Sequence, residues 1–198
     1  MVSLTLPITS APSGRVEHKP TATPMMTRWL AGQDTSHAPV SSNQPALELP
    51  FQRWFKFKEA FAPQFIIDCA ASLGKPARSC LDPFGGSGTS ALTAQFLGIR
   101  PTTIEVNPFL ADLIEAKLST YHVARLRSDY LEVLRVSKEV RPTAAQMLAA
   151  APATLIEPGV DERWIYSKGV ARRILALREA IGQVKSHSNR LLFTVVLG

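Results

Sequence analysis

Residues 81–90 read LDPFGGSGTS, and residues 104–109 read IEVNPF. The first stretch sets one carboxylate, Asp82, ahead of three glycines in four residues. The second holds another carboxylate, Glu105, two places before Asn107. Glycine takes positive φ and lets backbone pass close to a ligand without a Cβ clash. The turn formed by Asp82, Pro83, Phe84, Gly85, Gly86, Gly88 and Thr89 therefore has the composition of a ligand cradle. A helix starting near Gly88 or Thr89 would add N–H groups that lack intrahelical partners. A carboxylate placed as Glu105 is can accept hydrogen bonds from both hydroxyls of a ribose.

The flanking sequence supplies the elements that would hold these groups together. Before the turn, APQFIIDCAASLGK places Phe65, Ile66, Cys69 and Leu73 at helical spacing, with Gly74 as a C-cap. ARSCLDPF reads as a short strand running into the glycines, and TSALTAQFLG as a helix that Gly98 stops. RPTTIEV, with Thr102, Thr103, Ile104 and Val106, reads as a second strand. NPFLADLIEAKL is a helix with Asn107 at the N-cap and Pro108 first in the helix; Leu110, Leu113, Ile114 and Leu118 form its apolar face. This order is a βαβ unit with parallel strands, and its first turn lies at the carboxyl end of a strand, where open α/β sheets bind ligands. PATLIEP offers one further strand. Val170, Ile174, Leu177, Ile181 and Val184 recur at helical spacing as a core face, with Arg172, Arg173, Arg178 and Lys185 on the same helix as a basic face that is solvated and open to contact with DNA.

An adenosine-containing cofactor is the natural occupant of such a turn, and the residues separate the candidates. A P-loop needs Gly-Lys-Ser/Thr, whereas GSGTS has no lysine. A dinucleotide site reads G-x-G-x-x-G with no acid ahead of it, and GGSGT does not fit that spacing. The charge of Asp82 opposes a pyrophosphate and suits a ligand with an ammonium group. S-adenosyl-L-methionine has that group and a ribose for Glu105.

The 198 residues are 45% hydrophobic and 19% charged, the composition of a soluble protein, without the apolar run a membrane span needs. Cys69 and Cys80 lie in apolar segments, and His18, His37, His122 and His187 are scattered. Reduced, buried thiols in a cytoplasmic protein with no metal site are expected. Residues 1–48 are rich in Pro, Ser and Thr and show no period, which predicts a disordered tail followed by a folded part over residues 49–198, long enough for one domain core or half of a larger one. Residues 1–50 are neutral, so the formal +6 belongs to residues 51–198 and suits a polyanionic partner such as nucleic acid.

LDPFGGSGTS followed by IEVNPFLADLIEAK resembles the cofactor-binding motifs of amino-methylating DNA methyltransferases, which modify the exocyclic amine of cytosine or adenine. RWFKFKEAFAPQFI, residues 53–66, resembles the segment that in this family covers the methionine end of the cofactor. DERWIYSKGVARRILALREAIGQVKSHSNRLLFTVVL resembles the helical stretch that some members carry before their catalytic motif. The resemblance implies an α/β, Rossmann-like S-adenosylmethionine-dependent methyltransferase fold. It also implies cofactor contacts from Asp82 to Gly86, Gly88, Thr89, Glu105, Asn107, Phe57 and Lys58, DNA as substrate, cytosine-N4 ahead of adenine-N6, and a place in restriction-modification. Position 90 departs from the family, with serine where threonine is commoner. The family's catalytic motif, Asp/Asn/Ser-Pro-Pro-aromatic, has no counterpart, because no Pro-Pro dipeptide occurs in the chain. The expectation is thus an incomplete fold: the cofactor-binding portion of the enzyme, inactive alone, with a second chain or a missing C-terminal part supplying the motif. An RNA methyltransferase and a non-catalytic remnant or binding module are the alternatives.

Overall fold

The computed structural model describes residues 2–4 and 50–198, and within them the chain divides into two compact units, Met1–Leu118 and Ser119–Gly198. The tail expected over residues 1–48 lies outside the described residues except at Val2–Leu4, which form a strand (β1).

The first unit is built on a three-stranded sheet in the order β1–β3–β2, with β2 at Ser79–Asp82 and β3 at Arg100–Glu105. β2 and β3 are parallel, with Asp82 opposite Thr103; β1 runs antiparallel to β3, with Val2 opposite Glu105. Among the described residues, three α-helices belong to this unit: α1 (Pro63–Ser72), α2 (Thr89–Phe96) and α3 (Pro108–Leu118). The β2–α2–β3 crossover is the βαβ unit read from the sequence, so an α/β architecture with a small parallel pair is present. The short α2 is buried from Thr89 to Ala94, because it lies on the sheet and against both α1 and α3. Leu92, Leu110, Leu113 and Ile114 form the centre of this core. The apolar stripe on α1 is a different case. Phe65 and Leu73 are exposed and so is Cys69, while Cys80 is half-buried, which corrects the expectation of two buried thiols. Burial, then the charge of Asp82, raises the pKa of the Cys80 thiol.

The second unit is helical. It holds α4 (Val123–Glu139), α5 (Ala144–Ala150), α6 (Lys168–Gly182) and α7 (His187–Leu197). α4, α5 and α6 start at His122, Thr143 and Ser167, whose side chains each accept a backbone N–H of the first turn. One core joins Val133 of α4 to Ala180 and Ile181 of α6, with Val184 just beyond; a second joins Met147, Ile156 and Ala171. Val170, first of the apolar stripe in the sequence, is exposed, whereas Ile181 and Val184 are buried. The further strand expected in PATLIEP is absent. Ala153–Leu155 form a 3₁₀ turn, and Ile156 makes a single parallel bridge to Tyr166. Prolines at both ends of this stretch deny it ladder donors, and Ile156 is used in the core instead.

Candidate functional site

β2 and β3 end side by side at Asp82 and Glu105. The register pairs Asp82 with Thr103, and Glu105 lies two residues further along the neighbouring strand on the same face. Strand geometry puts their Cα atoms about 8 Å apart. One extended ligand can reach both carboxylates.

The glycine turn is fastened to β3 by its own N–H groups. Gly85 N donates to the Ile104 carbonyl at 2.9 Å and Gly88 N to the Gly85 carbonyl at 2.8 Å. Gly86 N donates to Glu105 Oε2 at 2.7 Å, and Asn107 N donates to Glu105 Oε1 at 2.8 Å. Glu105, only 8% exposed, therefore holds the turn to the strand end with both oxygens, and each oxygen keeps a second lone pair. Asp82 is half-buried; its Oδ1 accepts Phe84 N at 3.0 Å in a local turn, which leaves Oδ2 without a partner among the described residues.

Packing, as well as any ligand, requires the glycines. A Cβ on Gly85 would collide with Thr103 Oγ1 and lie 2.8 Å from Ile114 Cδ1; one on Gly88 would lie 2.9 Å from Ile114 Cγ1. Gly86 and Gly88 have φ of +53° and +84°, a region costly for other residues. The Phe57 ring edge lies 3.1 Å from a Cβ built on Gly86, so Phe57 packs against the turn. Phe55 continues the contact, with its ring 6.4 Å from Phe57 and 5.4 Å edge-on from Phe109.

The remaining sequence-derived residues are placed as follows. Thr89 opens α2 and is buried; Pro83 and Phe84 are exposed, Phe84 at 87%. Asn107 is the cap of α3, its Oδ1 accepting Phe109 N at 3.0 Å. Lys58 is exposed. Two residues were not singled out from sequence. Val106, directly after Glu105, is 68% exposed and offers an apolar surface beside the carboxylate. Lys117 is buried in the last turn of α3 and donates from Nζ to the Ser87 carbonyl at 2.7 Å. Its desolvation lowers its pKa to about 8. A signal for it existed: 110, 113, 114 and 117 are one helical stripe, so this lysine sits on an apolar face.

The arrangement is rich in acceptors. The N–H groups of all three glycines are taken by protein oxygens, and two carboxylates stand at the strand ends. A pyrophosphate would meet repulsion from both carboxylates, and the glycine N–H groups nearest them are already bonded. A ligand with hydroxyl groups and a positive charge fits. Among the described residues no group of His, Cys, Asp and Glu could hold a metal ion, and no helix is long and apolar enough to cross a membrane.

Curated proteins match the chain, among them the following three. The type II methyltransferase M.BsoBI of Geobacillus stearothermophilus is 29% identical over 107 residues, 52% of this chain and 21% of that protein. M.AvaI of Nostoc sp. is 33% identical over 101 residues, 50% of the chain and 21% of its own length. M.MjaII of Methanocaldococcus jannaschii is 30% identical over 83 residues, covering 42% and 16%. The chain thus resembles type II methyltransferases over about half its length and spans about a fifth of those relatives. No protein-family model and no solved structure matches it.

Proposed function

We propose that the turn from Asp82 to Thr89 and the end of β3 bind S-adenosyl-L-methionine. In this reading residues 49–198 are the cofactor-binding portion of a cytoplasmic DNA methyltransferase with a Rossmann-like fold. The acceptor-rich donor set carries the reading: two carboxylates at adjacent strand ends, with the glycine N–H groups already bonded. Oδ2 of Asp82 is free to meet the ammonium of the cofactor. The spare lone pairs of Glu105 accept the ribose hydroxyls, and exposed Val106 and Phe84 lie beside the adenosine. Phe57 closes the turn from the other side, and Asn107 acts through its backbone and cap rather than by direct contact. When bound, the cofactor supplies an electrophilic methyl group; the chain's own contribution is to hold it in one orientation.

Similarity to type II methyltransferases supports DNA as substrate, with an exocyclic amine as acceptor and cytosine-N4 ahead of adenine-N6. The Pro-Pro-aromatic motif that would receive the flipped base comes from a part outside these residues. Titration calorimetry tests the cofactor: S-adenosylmethionine is expected to bind, while ADP and NAD bind at least tenfold more weakly. Tighter binding of the pyrophosphate ligands would overturn the reading.

A further inference from the structure

In the helical unit, a groove of about 490 Å³ runs between the C-terminal end of α4 and the first half of α6. Four cations line it, Lys138, Arg141, Arg172 and Arg173, over a floor that includes Ala176 and Leu177, and no acidic residue lines it. We propose that this groove binds the phosphodiester backbone of duplex DNA. The phosphate chemistry is argued from the groove itself, while the choice of DNA rests on the methyltransferase reading.

Charge is concentrated in this unit. Residues 119–198 contain twelve Lys and Arg against seven Asp and Glu, a net of +5 out of the chain's +6. Internal stability accounts for part of the cluster only. Lys138 and Arg141 suit the C-terminal end of α4, and Arg141 donates to the Lys138 and Val140 carbonyls. Arg172 and Arg173, in the second turn of α6, have no such reason. Both are exposed, and neither is paired with a carboxylate among the described residues. The neighbouring acid on α4, Glu139, is taken by Arg135 at 2.7 Å, so it does not neutralise the groove. The apolar floor lets a sugar-phosphate chain lie close, deoxyribose inward and phosphates on the rim. Guanidinium groups are suited to that contact because their planar forks match phosphate oxygens.

The test measures fluorescence anisotropy of a labelled 20-base-pair duplex against NaCl, using the full chain. One variant carries Lys138→Gln, Arg172→Gln and Arg173→Gln. A charge-matched control carries Arg125→Gln, Arg127→Gln and Lys185→Gln, and Arg172→Gln alone guards against misfolding. Each neutralised phosphate contributes about 0.9 to the slope of log K against log salt. The groove variant is expected to lose about 2 to 3 from that slope and at least tenfold in affinity at low salt. The single variant should lose about 1, and the control less than half as much as the groove variant. Equal losses in groove variant and control, or an unchanged slope in the groove variant, overturn the proposal. So does a polyglutamate of equal charge that binds as tightly as the duplex and loses affinity in the same variant. Calorimetry with S-adenosylmethionine separates the two readings. Absent cofactor binding with an intact groove effect removes the cofactor assignment and leaves the groove; the reverse removes the groove alone.

Discussion

Both oxygens of Glu105 already accept backbone N–H groups, so a ribose bound there meets a carboxylate that the loop has fixed in place. This makes its replacement informative in two ways. Glu105→Gln keeps the volume but turns an amide donor toward Gly86 N or Asn107 N, and Glu105→Ala removes both bonds. With charge-assisted bonds of about 1.5–3 kcal/mol, Glu105→Ala should weaken S-adenosylmethionine about ten- to a hundredfold by calorimetry. Unchanged affinity in a folded variant would leave Glu105 as a loop fastener alone. Lys117 gives a prediction in pH. Its pKa is about 8 in the folded chain against an ordinary 10.5, so between these values the unfolded chain binds a proton that the folded chain does not. Stability therefore rises with pH across that window, by at most about 1.4 kcal/mol per pH unit, and the cost of the buried charge is fully present below pH 8. The stability difference between the native chain and Lys117→Met, measured by denaturant at pH 7.5 and pH 10, should shift in favour of the native chain. A constant difference would show that the lysine titrates normally.

The element that determines the site is the turn between β2 and α2, and its tolerance of substitution follows from what each glycine touches. Gly85→Ala places a methyl group against Thr103 and Ile114, an overpacking that costs roughly 1–3 kcal/mol. Gly182→Ala, with open space around it and helical backbone, is expected to leave stability unchanged or slightly raised. Denaturation midpoints decide this, and equal midpoints for the two variants would show that the turn relaxes. Much of this geometry was legible in residue types. Gly74 and Gly98, the Asn107-Pro108 pair and the β-branched run before Glu105 marked the limits of α1, α2, α3 and β3, because those signals are local. What covers a face is not local: Phe65, Cys69 and Leu73 fall at helical spacing, yet all three are exposed, so the thiol of Cys69 expected to be buried is not. β1 gave no signal, since Val2–Leu4 is too short for a period and pairs with residues about a hundred positions away. The second role of Glu105 was equally hidden: it depends on where a positive-φ glycine turn presents its N–H.

At the scale of the whole molecule, the proposed methyltransferase reading assigns the two units different tasks. The first has the carboxylates and turn that suit the cofactor, and the second carries +5 of the net charge. Neither has the group an exocyclic amine needs, an oxygen acceptor next to an aromatic platform in a Pro-Pro sequence. The sheet points the same way, since β2 has β3 on one side and no described strand on the other. A parallel pair of this kind is stable when its edges are covered. These 198 residues alone are therefore expected to transfer no methyl group to DNA. Addition of a chain that carries the Pro-Pro-aromatic motif and further strands is expected to restore transfer, and to raise solubility where those strands cover the open β2 edge. A radiolabelled methyl assay on duplex DNA measures the first effect, and sedimentation of the mixed and separate chains measures the second. Turnover by the 198 residues above a no-protein blank would mean that the acceptor for the amine lies within them.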